Sequence, residues 1–199
     1  AMKEVDPTIK LAITGYGPFR EKLGRMLDIC GQYIDLVSDR LIGRGAEEDT
    51  DREIAILSAY QEETGRRIGL CNTEWLAPFD PPTGSRLSLP IFAQRPGRDG
   101  DASSWSLEET RQYRQQRWFY ALNAAVVLQR FWRRAQWLDF ANFNNLVNTW
   151  GQNVVEASKS AAWISVVGRV FEFFAGSHAT WPVRVSPTEH QNQIFAAAA

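Results

Sequence analysis

Residues 67–75 of this 199-residue chain have the sequence RIGLCNTEW, and this stretch decides the fold class. Small and apolar residues lead into a carboxylate, Glu74, and the aromatic Trp75 follows directly. Prolines soon interrupt the chain, and proline has no N–H to donate to a strand ladder. The pattern predicts a buried strand of a parallel sheet. Such a strand delivers Glu74 to the carboxyl edge of the sheet, where α/β barrels hold their catalytic groups.

Strands and helices alternate on both sides of this stretch. Hydrophobic periodicity predicts strands over 9–14, 34–38, 68–74 and 138–147, and helices over 19–33, 52–63, 107–134 and 166–174. This alternation favours βαβ units and a parallel sheet, and four such units make half of a (β/α)8 TIM barrel of roughly 250 residues. An open doubly wound sheet fits the same order of elements. No G-x-G-x-x-G or P-loop motif follows any strand, so nucleotide binding has no support.

Two segments fall outside this alternation. Residues 76–105 are rich in Pro, Gly, Ser and Asp, which predicts a loop inserted over the mouth of the site. Residues 181–185 (WPVRV) predict a strand of another sheet. We therefore expect a catalytic domain over 1–180 and the start of a C-terminal β segment, such as a β-sandwich strand, or a tail, over 181–199. The first residues predict the end of a helix broken by a proline, so we expect the chain to begin within a domain.

Composition argues against several classes of function. The net charge is −1, from 22 basic and 23 acidic residues, which indicates neither a nucleic-acid binder nor a basic membrane surface. No apolar run approaches the roughly 20 residues of a membrane span. Cys30 and Cys71 have no ligand-spaced His or Cys neighbours, which predicts free thiols and no metal site. The histidines, His178 and His190, lie near the C-terminus, so catalysis has to use carboxylates.

Four segments carry a resemblance to a known family. They are residues 1–13 (AMKEVDPTIKLAI), 33–40 (YIDLVSDR), 72–75 (NTEW) and 128–148 (LQRFWRRAQWLDFANFNNLVN). In this order and spacing they resemble the C-terminal half of the catalytic barrel of glycoside hydrolase family 51, the α-L-arabinofuranosidases. The first is similar to the segment after the family's acid/base strand. The others are similar to its sixth strand, its nucleophile strand, and its eighth strand with the preceding helix.

The resemblance implies a retaining hydrolase of arabinose-bearing plant polysaccharides or oligosaccharides that needs no cofactor. Glu74 would attack the anomeric carbon and form a covalent glycosyl-enzyme. A second carboxylic acid, about 5 Å away, would protonate the leaving oxygen and then activate water. The family holds this acid/base glutamate in a G-N-E motif on its fourth strand, and this chain contains no G-N-E. We therefore expect the chain to function with a missing N-terminal half of the barrel.

The chain departs from the family at positions expected to contact the sugar. Residues 38–40 read SDR where the family has S-x-H, and Asn145 falls where the family has a substrate-contacting glutamine. We expect Trp75, Asn145 and Arg40 to bind substrate. Each has a structural alternative: Trp75 as a core aromatic, Asn145 as a strand-exit residue, and Arg40 as a partner of nearby acids. Glu74 itself could be a core-edge glutamate paired with Arg40, and such a pair would also hold Glu74 ionised as a nucleophile.

Two other functions stay open. The same scaffold with β-xylosidase or endoglucanase specificity would explain the departures from the family. A non-catalytic fragment that binds sugar or a partner subunit would explain the absent G-N-E motif. The sequence does not distinguish a cytoplasmic from a secreted location, and it is compatible with a homo-oligomer.

Overall fold

The computed structural model describes residues 2–15, 17–39, 46–76, 107–144, 146–147, 153–157 and 159–176. The chain divides into two compact units, Ala1–Trp75 with Arg134–Asn142 and Leu76–Arg133 with Phe143–Ala199. The predicted loop insertion over 76–105 and the predicted strand over 181–185 lie outside the described residues, apart from Leu76. The predicted domain boundary at 180 therefore stays a prediction.

The first unit is a layer of helices against a sheet. Its four strands form a parallel sheet in the order β1-β2-β3-β4, which confirms the predicted α/β class. In chain order its elements are helix α1 (Met2–Val5), strand β1 (Ala12–Thr14), a 3-10 helix (Gly17–Lys22), helix α2 (Leu23–Cys30), strand β2 (Leu36–Ser38), helix α3 (Ala46–Thr64), strand β3 (Gly69–Trp75) and strand β4 (Leu138–Phe143), whose last residue belongs to the second unit.

One face of this sheet packs against α2 and α3. The register pairs Ile13 with Val37 and Val37 with Leu70, so these side chains share that face. The core consists of apolar side chains from the sheet and the helices: Leu23, Leu27, Ile34, Val37, Leu57, Ile68 and Leu70. Strand β3 therefore has one face within the core of the unit, as its apolar sequence predicts.

Helix α3 begins at Ala46, so the predicted start at residue 52 is wrong. The acidic run Glu47, Glu48 and Asp49 lies in the first turn of the helix, where carboxylates interact favourably with the positive end of the helix dipole. The helix ends at Thr64, and Gly65 follows it with a φ of 72°, a backbone conformation that favours glycine. The other deviations are shorter: the helix predicted over 19–33 begins as a 3-10 helix, and β4 ends at residue 143.

The second unit joins two helices and a hairpin. Helix α4 (Leu107–Arg133) and helix α5 (Val166–Gly176) match their predictions. The antiparallel hairpin of β5 (Val155–Ala157) and β6 (Ala162–Ile164) was not predicted. The helices share a small core, which contains Tyr120, Ala121, Ala124 and Val167, with Phe143, Val170 and Phe171 packed against it.

Ser165 fixes the start of α5. Its Oγ accepts a hydrogen bond from the Gly168 N–H at 3.1 Å and donates to the carbonyl of Asn153. We expect Ser165→Ala to lower the free energy of unfolding by about 1–2 kcal/mol, because both bonds are lost at a buried helix cap. Urea denaturation measures this loss. Ser165→Thr keeps the hydroxyl and is expected to lose less, and equal losses in the two variants would contradict the capping role.

At the amino edge of the sheet, ion pairs form around Asp35, the residue directly before β2. Its carboxylate accepts hydrogen bonds from Lys3, from Arg66 Nη2 at 3.1 Å and from the Leu11 N–H at 2.9 Å. Burial acts to raise the pKa of Asp35. The hydrogen bonds from Lys3 and Leu11 and the charges of Lys3 and Arg66 together outweigh burial and hold this pKa below its ordinary value.

A second group of ion pairs at this edge forms around Asp139 in β4. It accepts hydrogen bonds from Arg67 Nη2 at 2.8 Å and from Lys10 Nζ at 3.2 Å. Burial again acts to raise the pKa, and the hydrogen bonds and charges of Arg67 and Lys10 outweigh it, so the pKa of Asp139 is also lowered. A Cβ at Gly69 would lie 2.5 Å from Asp139 Oδ1, so glycine at this position makes room for the carboxylate.

These two carboxylates make stability depend on acid pH. A pKa that is lower in the folded state means that the unfolded chain binds protons more readily, so the stabilisation is present above the unfolded pKa of about 3.9 and is lost as pH falls through the folded value. We expect the melting temperature to fall between about pH 5 and pH 2. The double variant Asp35→Asn, Asp139→Asn should lose stability at pH 7 and show a flatter acid profile. An unchanged profile would contradict this role.

Candidate functional site

At the carboxyl edge of the sheet, the backbone hydrogen bonds between strands continue for one residue beyond the ends of β1 and β2. The Gly15 N–H donates to the Ser38 carbonyl at 2.7 Å, and the Asp39 N–H donates to the Cys71 carbonyl at 3.0 Å. A Cβ at Gly15 would collide with the Val37 side chain, so only glycine allows β1 to run this close to β2. The ends of three adjacent strands therefore lie side by side, as expected for a site built on a parallel sheet.

Glu74 is the next-to-last residue of β3 and is half-buried. Side chains alternate along a strand, and Leu70 faces the helices. By this alternation Glu74 belongs to the same side as Leu70, whereas Thr73 belongs to the opposite side. Glu74 thus lies at the carboxyl edge of the sheet, on the side opposite to the one that bears Thr73.

Of the other predicted site residues, the structure describes Trp75. Its side chain is 1% exposed. Arg40 and Asn145 lie outside the described residues. The structure thus places Glu74 and Trp75 together at the end of β3, and the predicted sugar contacts of Trp75, Arg40 and Asn145 stay predictions.

The hydroxyl groups of Ser38 and Thr73 form a contact between two strands at the carboxyl edge of the sheet. Ser38 Oγ and Thr73 Oγ1 are 3.3 Å apart and join β2 to β3. The Thr73 residue is exposed, so this pair can offer both a donor and an acceptor to a polar ligand. Neither residue was among the predicted site residues. Both residues lie at the ends of predicted strands, and this position could have indicated that they belong to the site. Their contact with each other depends on the register between β2 and β3, which the sequence does not show.

Asp39 is a second carboxylate at this edge, and it was not among the predicted site residues. It follows β2 directly, and its side chain is buried. A carboxylate at the end of a buried strand is the signal that selects Glu74, and it applies equally to Asp39. Because Asp39 is enclosed, Glu74 is the more accessible of these two described carboxylates.

The thiol of Cys71, in β3, is buried and its pKa is raised. Burial raises its pKa, a hydrogen bond with Ser38 lowers it in part, and the negative charge of Asp139 raises it further. The thiol is therefore protonated at neutral pH, whereas the thiolate is the reactive form.

Within the described ranges, no helix is both long and apolar enough to span a membrane. The same residues contain no group of three or more His, Cys, Asp or Glu side chains arranged to hold a metal ion. Cys30 and Cys71 are both free, as their isolated positions in the sequence predict.

Comparison with solved structures finds a distant neighbour. The chain is similar to a family 51 α-L-arabinofuranosidase from Bifidobacterium longum, with a TM-score of 0.58 and 15% sequence identity. The similarity covers 99% of this chain and 43% of that enzyme, so the chain spans less than half of the enzyme's length. No protein-family profile and no curated protein sequence matches this chain. At this identity the likeness concerns the fold.

Proposed function

We propose that this chain forms part of a retaining glycoside hydrolase in which Glu74 is the nucleophile. The observation that carries the proposal is the half-buried carboxylate at the carboxyl end of β3. It stands in a parallel sheet whose fold is similar to that of an α-L-arabinofuranosidase. A carboxylate at such a strand end can attack an anomeric carbon and form a glycosyl-enzyme.

The sheet is proposed to be half of a (β/α)8 barrel. Its four parallel strands leave β1 and β4 at the two ends of the sheet order, and closing a barrel would require further strands at both. The similarity to 43% of a glycosidase chain agrees with a half-barrel. The upstream half would then supply the acid/base carboxyl, because the enclosed position of Asp39 does not suit that role.

The proposed substrate is an arabinose-bearing oligosaccharide or polysaccharide. The neighbour acts on α-L-arabinofuranosides according to its name. Trp75, Arg40 and Asn145 are proposed to lie around this sugar. The SDR sequence at 38–40 supports β-xylosidase or endoglucanase specificity as the alternative on this scaffold.

A second candidate is a protein that binds sugar without hydrolysing it. The alternation along β3 favours this candidate, because it assigns Thr73, and not Glu74, to the side of the sheet that bears Ser38. A sugar bound by the two hydroxyls would then face away from the carboxylate.

Mass spectrometry under native and then denaturing conditions, on the protein isolated from its source, tests the half-barrel. A second polypeptide, or one longer chain, is expected to carry the upstream strands. The same preparation would be assayed on aryl α-L-arabinofuranoside, aryl β-xyloside and β-glucan. Hydrolysis of the first supports the proposal, and hydrolysis of one of the others alone supports the alternative specificity. A lone chain of 22.6 kDa without turnover supports the sugar-binding candidate.

A further inference from the structure

Residues 2–10, which precede β1, form a segment that adds no side chain to the core of the first unit. No residue of α1 is buried, and its apolar Met2 and Val5 are 64% and 89% exposed. Among the described residues, Ile13 of β1 is the first apolar side chain along the chain that packs against this core. Hydrophobic burial therefore contributes little to holding the segment in place.

Two lysines tie this segment to the amino edge of the sheet. Lys3 Nζ donates to the carboxylate of Asp35, and Lys10 Nζ lies 3.2 Å from Asp139 Oδ2. Each carboxylate also binds an arginine from the turn before β3, so it keeps a charged partner when its lysine leaves. The groups at the edge of the sheet can thus stay in place while the segment moves away.

These two ties are sensitive to salt, and they end where strand pairing begins. The side chains of Lys3 and Lys10 are 34% and 63% exposed, so dissolved ions screen both pairs. The Leu11 carbonyl then accepts from the N–H groups of Asp35 and Leu36 at 2.9 and 3.1 Å. The segment can therefore leave without breaking the pairing between β1 and β2.

We propose that residues 2–10 form a strap that opens as a unit from the amino edge of the sheet when ionic strength rises, while the sheet stays folded. Regions with few buried apolar contacts open at a lower free energy than a core does. Opening frees the backbone around Lys3, which makes this part of the chain accessible to a protease. The strap lies at the edge opposite to Glu74, so the inference does not depend on the proposed hydrolase activity.

Limited digestion of the intact protein with trypsin, with the cut sites assigned by mass spectrometry, tests the strap. Trypsin has to bind the Lys3 side chain, so it cuts after Lys3 only when the Lys3–Asp35 pair is broken, and the rate follows the open population. We expect this rate to rise about fivefold between about 0.05 and 0.5 M NaCl, after correction with an unstructured peptide for the effect of salt on trypsin. Cleavage after Arg52, on α3, should change less than about twofold, because it requires the helix to leave the core.

Three substitutions separate opening of the strap from a general loss of stability. Asp35→Asn removes the charge that holds Lys3, so it should speed cleavage after Lys3 about tenfold at low salt. Asp139→Asn acts on the other tie, and it should speed the same cleavage about threefold because the strap opens as one unit. Asp51→Asn is the matched control, since its carboxylate pairs with Arg134 in the same unit rather than with a lysine of the strap. It should change the rate less than about twofold.

Several outcomes would overturn the strap. They are a cleavage after Lys3 that does not respond to salt, equal effects of Asp51→Asn and Asp35→Asn, and no effect of Asp139→Asn. Parallel changes in the cleavages after Lys3 and Arg52 would mean that the segment opens only when the whole unit unfolds. Urea at about 1 M should speed cleavage after Arg52 more than cleavage after Lys3, because denaturant acts on the larger surface that opening of the core exposes. The reverse order would contradict a local opening.

Discussion

Glu74→Gln is expected to lower kcat on an aryl α-L-arabinofuranoside by a factor of about 1,000 or more, measured on the complete polypeptide from its source. The amide has nearly the same shape as the carboxylate but cannot attack the anomeric carbon. Because Glu74 is half-buried at a strand end, the isosteric change should leave the melting temperature almost unchanged. A large loss of turnover in a normally folded protein is therefore the signature of a nucleophile.

Glu63→Gln is the matched control for this experiment. Glu63 lies exposed on α3 in the same unit, and the substitution removes the same charge. Its turnover should stay within twofold of the parent protein, since surface changes away from a site have small effects. Unchanged turnover in Glu74→Gln would place the nucleophile elsewhere.

Covalent trapping provides an independent test of the same assignment. A 2-deoxy-2-fluoro arabinofuranoside with a good leaving group should form a glycosyl-enzyme that hydrolyses slowly, and peptide mapping should locate the added sugar on Glu74. Loss of turnover in Glu74→Gln without any adduct in the parent protein would indicate a positioning role. That result would agree with the alternation along β3, which assigns Glu74 to the side of Leu70.

The parallel sheet could be predicted because its strands carry strong local signals. The stretch from Ile68 to Trp75 is long, apolar and bounded by turn residues, so both its type and its limits follow from the sequence alone. The start of α3 could not, because Glu47, Glu48 and Asp49 are equally typical of a solvated loop and of a helix N-terminus. Only the packing of the helix on the sheet decides between them.

The composition of the site was predictable in part. Glu74 follows from one strand and its exit, which are local in sequence. The Ser38–Thr73 contact joins two strands, so it depends on a register that no single segment encodes. The β5–β6 hairpin was likewise not predicted, and its pairing also joins two segments. Local chemistry was thus visible in the sequence, whereas pairings between segments required the structure.

Leu70→Ala is expected to lower the free energy of unfolding by about 3 kcal/mol, within the range of 2–5 kcal/mol for buried leucines. Leu70 is fully buried in β3, where its side chain packs in the core between the sheet and the helices. Truncation removes apolar contacts and leaves a cavity that the flanking strands β2 and β4 resist closing. Urea denaturation monitored by far-UV circular dichroism measures the change.

Ile29→Ala provides the control for this loss. Ile29 lies on α2 in the same unit and is 68% exposed, so its truncation should change stability by less than about 0.5 kcal/mol. Similar losses in the two variants would mean that the face of β3 assigned here to the core is not the packed one. Because side chains alternate, Glu74 stays on the side of Leu70 in either case, so that result would mean that Glu74 leaves the strand on a side that is not packed. The stability of Leu70→Ala therefore tests the surroundings of the proposed nucleophile as well as the packing of its strand.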